Sequence, residues 1–161
     1  LGDLTRTYVK GAPTPWMEKL YTTVLNAQLK ALDMLKPGIE GKAVNQAVID
    51  FFAKHGYPQQ PDAQGNPTGF IHGLGHSLGL ELHDRGPGLD RVSGPLPEGC
   101  VVTVEPGLYI PVGSAGVETK WHGIGVRIED DVLVTPSGYR NLSEKLPRSL
   151  ESLERFLQSK K

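Results

Sequence analysis

Several features that would assign a chain to a specialised class are scarce or missing here. The 161 residues include one cysteine, which rules out an internal disulfide and fits a reducing compartment. No apolar run approaches the roughly 20 residues needed to cross a bilayer. The net charge is −1 and the basic residues are scattered, so no nucleic-acid or membrane surface is indicated. We therefore expect a cytoplasmic protein that binds neither nucleic acid nor membrane.

The start of the chain lacks a signal peptide and an initiator methionine. It opens on residues 4–9, which alternate apolar and polar side chains as a half-buried strand does. We expect the natural protein to extend upstream of this strand. The length predicts one domain with one core. Cys100 begins an apolar run, which favours a buried structural thiol over a nucleophile.

Helical periodicity followed by several β segments predicts an α+β domain rather than an alternating α/β one. Thr14 is placed to cap a long helix with Pro15 at its first position, and Pro37 stops that helix. The other predicted helices are residues 44–55 and 149–158. The predicted β segments are residues 70–76, 101–109 and 125–134. The stretches 57–68 and 84–97 are rich in turn residues and are predicted as loops.

The most informative feature is a stretch rich in histidine and glycine, residues 72–84, followed by two isolated glutamates in apolar runs. A carboxylate in such a run costs several kcal/mol of desolvation unless it is paired or bound to a cation. His72 and His76 share strand parity and are expected on one face. These signals predict a metal site built from one imidazole and several carboxylates. Its predicted ligands are Asp3, His76, Glu105 and Glu129.

An oxygen-rich ligand set with one imidazole suits Mn²⁺, Fe²⁺, Co²⁺ or Zn²⁺ and does not suit metals that select thiolates. Carboxylates can also bridge two ions, as two-metal hydrolases require at a separation of roughly 3.5–4 Å. The glycine spacing in the same stretch gives only a weak indication of a dinucleotide loop, because the third glycine is misplaced and no helix follows.

Each signal taken alone also has a structural interpretation. The histidines could be hydrogen-bonded within tight β structure, and each glutamate could be an ion-pair partner. Arg127 is expected on the same face as Glu129, where it could form a cross-strand ion pair or hold a ligating carboxylate in place. His83 could donate to a substrate carbonyl or a developing oxyanion. His55 and His122 are interpreted as surface or structural residues.

Three ordered motifs resemble the aminopeptidase P and prolidase branch of the M24 metallopeptidases. They are His-Gly-Leu-Gly-His-Ser-Leu-Gly-Leu-Glu-Leu-His-Asp at 72–84, Val-Thr-Val-Glu-Pro-Gly-Leu-Tyr-Ile at 102–110 and Gly-Ile-Gly-Val-Arg-Ile-Glu-Asp-Asp at 123–131. The opening Asp-Leu-Thr-Arg-Thr is similar to the family's strand that carries its second metal-binding aspartate. The resemblance implies a pita-bread fold. It implies that residues 1–161 are the C-terminal part of the catalytic domain, comprising its second half plus the last strand of its first half.

The resemblance also implies a role for each site residue in hydrolysis of the peptide bond before proline. Two divalent ions are implied in the complete enzyme, with Mn²⁺ the first expectation and Co²⁺, Zn²⁺ and Fe²⁺ the alternatives. A water or hydroxide held by the metal would attack the scissile carbonyl. The implied roles are metal ligation by Asp3, His76, Glu105 and Glu129, with Asp3 and Glu129 bridging; proton transfer by Glu105; a carbonyl contact by His83; a proline pocket that includes His72; and support of the metal shell by Arg127.

One departure from the family pattern matters. The family's first aspartate ligand lies upstream of the second, and this sequence has no counterpart, so full activity is not predicted for this chain alone. Aminopeptidase P is the leading function, prolidase is the alternative, and methionine aminopeptidase fits poorly. A metal-free pita-bread binding module and a creatinase-like hydrolase are disfavoured by the intact ligands. The expected partners are a proline-containing peptide and either a second copy or the protein's own N-terminal half.

Overall fold

A computed structural model describes residues 2–62, 64–114 and 117–158, and within these ranges it contains three α-helices and nine strands. The helices are α1 Pro15–Met34, α2 Gly41–Lys54 and α3 Leu150–Gln158. The strands are β1 Gln60–Pro61, β2 Pro67–Thr68, β3 Gly75–Ser77, β4 Asp84–Leu89, β5 Val101–Val104, β6 Gly107–Ile110, β7 Ile124–Arg127, β8 Asp130–Thr135 and β9 Gly138–Asn141. A short 3₁₀-helix covers Thr119–Trp121.

The long helix α1 forms as the sequence predicts. The Thr14 hydroxyl accepts a hydrogen bond from the Met17 N–H, and Pro15 occupies the first helical position, where no N–H is needed. One face of α1 is fully buried and packs against the sheets, which supplies much of the hydrophobic stabilisation of the domain. No helix in the described parts of the chain is long and apolar enough to cross a membrane.

The strands form three antiparallel sheets, so the α+β prediction is confirmed. The main sheet has the order β4-β3-β5-β8-β9, and two further sheets pair β6 with β7 and β1 with β2. Helix α1 contacts strands of both the main sheet and the β6–β7 sheet. The chain crosses between these two sheets twice, once from β5 to β6 and once from β7 to β8.

These crossings divide two segments that the sequence predicts as continuous strands. Residues 101–109 split at Glu105-Pro106, because proline has no N–H to continue the ladder. Residues 125–134 split at Ile128-Glu129, where the Glu129 N–H donates to the Thr5 carbonyl instead of to a strand of the main sheet. As a consequence, each predicted glutamate ligand lies at a break between sheets rather than inside a strand.

Two other predicted segments differ in the structure. The predicted strand over residues 70–76 is limited to β3, and the first six residues of the predicted loop over residues 84–97 are strand β4. The glycines of β4, which indicate a turn by composition, allow the strand to approach β3 closely. A side-chain carbon at Gly88 would lie 2.9 Å from the Gly75 oxygen and 3.0 Å from the Cα of His76.

The opening segment, residues 4–9, is predicted as a strand but makes one bridge, between Thr5 and Glu129. After this bridge, the Thr7 side chain makes the hydrogen bonds that a neighbouring strand's backbone would make. The Thr7 hydroxyl donates to the Arg127 carbonyl at 2.9 Å and accepts from the Arg127 N–H at 3.1 Å. The segment is therefore held beside Glu129 without regular strand pairing.

A Gly75→Ala substitution tests the close packing beneath β3. Its added carbon would lie 1.9 Å from the Thr103 carbonyl oxygen, so backbone must move. We expect the free energy of unfolding to fall by about 2 kcal/mol or more, as overpacking does. Gly94→Ala is the control, because no atom lies within 4 Å of its added carbon, and it should change stability by less than about 0.5 kcal/mol. Equal stability of the two variants in urea titrations would contradict this packing.

Candidate metal centre

His76 of β3 lies at the centre of the site, and its ring orientation is fixed. Its Nδ1 lies 3.1 Å from the Ser77 carbonyl, which assigns the ring proton to Nδ1 in the neutral form. Its Nε2 lies 3.4 Å from Asp3 Oδ2 and 3.4 Å from Glu105 Oε1. A neutral Nε2 carries a lone pair, so it needs a proton or a metal cation between itself and these carboxylates.

The two glutamates are each anchored at a sheet break by their own N–H and by a threonine. The Glu105 N–H donates to the Leu74 carbonyl at 2.8 Å, and the Thr103 hydroxyl donates to Glu105 Oε1 at 3.0 Å. The Thr5 hydroxyl donates to Glu129 Oε2 at 2.5 Å. The Glu129 side chain is 2% exposed, so this carboxylate is desolvated as well as fixed.

The structure brings all four predicted ligands together around the His76 imidazole. His76, Glu105 and Glu129 each present a ligand atom, and these atoms lie within 4.8 Å of one another. Asp3, His76 and His83 form a second group, whose ligand atoms also lie within 4.8 Å of one another. The sequence predicts His83 as a substrate contact. Its exposed ring lies 4.1 Å from the His76 ring between centroids, so it borders the site and is also within reach of an ion.

The crowded carboxylates have shifted proton affinities. Burial raises the pKa of Glu105 to about 7, and repulsion from Glu129 adds to this shift against the opposing Thr103 hydrogen bond. Burial likewise raises the pKa of Glu129, and nearby Asp3 adds to the effect. A divalent cation would relieve both causes, because it supplies positive charge where water is excluded. The donor set therefore fits a hard or borderline metal ion.

Arg127 and His72 join the site through Tyr109, a residue to which no sequence pattern assigned a role. The Tyr109 hydroxyl lies 2.9 Å from His72 Nε2 and accepts from Arg127 at 3.3 Å. Arg127 also donates to the Thr5 hydroxyl at 3.1 Å and lies 3.9 Å from Glu129 Oε2. A hydrogen-bonded chain thus runs from His72 to the buried glutamate.

Two premises about these residues are wrong in detail. His72 and His76 do not share a strand, because β3 begins at Gly75, and the two imidazoles have different partners. Arg127 and Glu129 do not share one either, because β7 ends at Arg127. Burial lowers the pKa of His72, which favours its neutral form, and the Gly73 carbonyl opposes the shift.

Some supporting residues had a signal in the sequence. The threonines at positions 5 and 103 stand two residues from a predicted ligand, and in extended chain that spacing places side chains on one face. Tyr109 and Asp131 had no comparable signal. The Asp131 carboxylate accepts the Asp3 N–H at 3.1 Å, and burial raises the pKa of Asp131.

The remaining histidines and the cysteine have structural partners or surroundings. His55 stacks on Phe51 and contacts the Phe51 carbonyl at 2.7 Å. His122 accepts the Gly113 N–H and lies 3.1 Å from the Val117 carbonyl. Burial raises the pKa of the Cys100 thiol, which disfavours the nucleophilic thiolate.

The sequence matches the profile of "Metallopeptidase family M24" over residues 1–136. It is 36% identical over 167 residues to Xaa-Pro aminopeptidase 2 of Streptomyces coelicolor, covering 96% of this chain and 36% of that protein. It is 37% identical over 143 residues to the Xaa-Pro dipeptidase of Pyrococcus horikoshii, covering 88% of this chain and 35% of that protein.

Solved structures agree with these sequence matches. The Pseudomonas aeruginosa aminopeptidase PepP superposes with a TM-score of 0.82 at 30% identity, covering 98% of this chain and 38% of that one. The prolidase of Pyrococcus horikoshii OT3 gives a TM-score of 0.74 at 37% identity, covering 92% and 37%. The expected pita-bread α+β fold is confirmed. The chain spans about a third of the length of these relatives.

The raised pKa of Glu105 predicts a pH dependence of stability in the metal-free chain. The folded state retains the proton to about pH 7, whereas an unfolded glutamate loses it near 4.5. The folded state therefore binds more protons in this window, and stability falls as pH rises through it. We expect wild type to lose about 2 kcal/mol more than Glu105→Gln between pH 5 and pH 8, measured by urea unfolding with chelator.

Glu98→Gln provides the matched control, since Glu98 is exposed in the turn before β5 and has no predicted role in the site. Its unfolding free energy should follow the wild-type pH profile. If Glu105→Gln also follows that profile, the carboxyl does not have the perturbed titration described above.

Proposed function

This chain belongs to metallopeptidase family M24, and from that premise we propose that it supplies a metal-binding part of a peptidase that cleaves X-Pro bonds. An aminopeptidase P-type activity is the leading assignment, and Xaa-Pro dipeptidase is the second, because relatives of both names match at similar identity. The observation that carries the proposal is the His76 Nε2, which faces the Asp3 and Glu105 carboxylates while Nδ1 is tied to a carbonyl.

We assign metal ligation to Asp3, His76, Glu105 and Glu129. Mn²⁺ is the proposed ion, with Co²⁺, Zn²⁺ or Fe²⁺ as alternatives of the same donor preference. A two-ion centre is proposed only for the complete enzyme, and these 161 residues, which include no match to the further chelating aspartate of the family pattern, are proposed to hold at most one ion tightly. When bound, such an ion polarises a carbonyl and lowers the pKa of water. The intact donor set argues against a metal-free binding module.

The chain's own residues are proposed to handle substrate and protons. Glu105 is assigned to proton transfer on the strength of the family resemblance, with its carboxylate held at the ligand cluster by the Thr103 hydroxyl. His83 is exposed beside the ligand cluster, where its imidazole can donate to the carbonyl oxygen of a bound peptide. His72, through Tyr109, is assigned to the proline pocket, and Arg127 is assigned to holding Thr5 and Glu129.

Three wider assignments accompany this function. We propose that residues 1–161 are the C-terminal part of the catalytic domain, on the strength of the motif order and the share of the relatives covered. We propose that the opening segment pairs with a second copy or with the protein's own N-terminal half, because Leu4, Tyr8 and Val9 expose apolar surface there. The proposed compartment is the cytoplasm.

Hydrolysis of X-Pro peptides by the protein at its full natural length tests the function. We expect activity that requires added Mn²⁺ or a similar ion and stops with chelator. His83→Ala should lower kcat by about 100-fold or more while Mn²⁺ affinity stays within a fewfold, because its proposed contact forms with the reacting carbonyl. His55→Ala removes a surface imidazole outside the site, and it should leave kcat and Mn²⁺ affinity unchanged. Parallel loss of metal and activity in His83→Ala would make His83 a ligand instead.

A further inference from the structure

A single amide on α1 contacts both glutamate-bearing breaks from beneath. Gln28 is fully buried on the core face of α1. Its Nε2 lies 3.1 Å from the Val104 carbonyl and 3.4 Å from the Ile128 carbonyl. These carbonyls belong to the residues directly before Glu105 and Glu129. One donor group therefore connects the two crossings, which are more than 20 residues apart in sequence.

The same nitrogen is also tied to a rigid polar cluster. It lies 3.2 Å from Asp130 Oδ2, and the Asp130 carboxylate is held by Arg6 at 2.6 Å and Arg148 at 2.9 Å. Asn141 donates to it at 3.0 Å. The Gln28 amide therefore links the two breaks to each other and also to the buried Asp130 cluster in the core.

The chemistry of the position explains why an amide stands there. Three oxygen acceptors surround the nitrogen, which fixes the amide orientation, because the reverse would direct Oε1 at those oxygens. As placed, the buried Oε1 has no hydrogen-bond partner among the described residues. A leucine or methionine would avoid that desolvation cost. An apolar side chain would also remove the donor that serves the Val104 and Ile128 carbonyls.

We propose that Gln28 is a positioning residue that sets the separation between Glu105 and Glu129 and thereby prepares the metal site. The inference rests on the proposed metal-binding function, and it extends that function to a residue that touches neither metal ligand through its side chain. Gln28 acts on the backbone before each ligand, whereas Thr103 and Thr5 act on the carboxylates themselves.

The first test measures Mn²⁺ affinity by isothermal titration calorimetry on the 161-residue chain. Gln28→Met preserves length and removes the donor, and we expect affinity to fall 10- to 100-fold at unchanged stoichiometry, as for other outer-shell residues. Val24→Ala is the matched control, since it weakens the same buried face of α1 without these hydrogen bonds, and its affinity should equal that of wild type. If Gln28→Met does not fold, Gln28→Asn keeps the amide and shortens its reach, with the same expectation.

The second test needs no metal. Amide hydrogen exchange at the Glu105 and Glu129 N–H groups should accelerate at least tenfold in Gln28→Met relative to the central amides of β5, and should not do so in Val24→Ala. Selective acceleration together with weakened Mn²⁺ binding supports the proposal. Wild-type affinity in Gln28→Met, or exchange that rises uniformly, overturns it. Absence of Mn²⁺ binding by wild type overturns the metal site, and the exchange result still decides separately whether Gln28 holds the two breaks.

Discussion

The crowding of carboxylates around one imidazole nitrogen is the constraint on which the rest of the site depends. Asp3 and Glu105 approach His76 Nε2, and Glu129 lies buried close by. Without a compensating charge, burial and mutual repulsion raise the pKa of Glu105 to about 7, which favours its protonated, neutral form. A bound divalent cation would favour the charged carboxylates instead. The same side chains that weaken the fold when charged become its means of binding metal.

The fold maintains this arrangement by interrupting its sheets where the ligands stand. Pro106 prevents the β5 ladder from continuing past Glu105. After β7 ends, Glu129 forms a β-bridge with Thr5. Each carboxylate therefore leaves the regular pleat, and its position is set by specific hydrogen bonds rather than by strand periodicity. Gln28 connects the two interruptions through their preceding carbonyls. Precision at the site comes from side chains of the core and of the opening segment together.

Much of the helical structure and the identity of the clustered residues could be predicted, because both depend on local signals. Thr14 and Pro15 indicate the start of α1, and Glu105 and Glu129 are isolated charges among apolar neighbours. The break at Glu105 had a signal in Pro106, which cannot continue a ladder. The break at Ile128-Glu129 could not be located, because a strand that changes sheets has the same alternation as one that continues. Gln28 did have a signal: it is a polar residue at a core position of α1. The roles of the site residues came from the family resemblance and not from spacing alone.

Locating a bound metal ion tests the proposed site. Crystals of this chain grown with Mn²⁺ would be measured for anomalous scattering near the manganese absorption edge. We expect one dominant peak per chain, bounded by His76 Nε2 and the carboxylates of Glu105 and Glu129, and its loss in His76→Ala. A map with no peak there at saturating Mn²⁺, or with the dominant peak at other residues, would show that these side chains do not form the metal site.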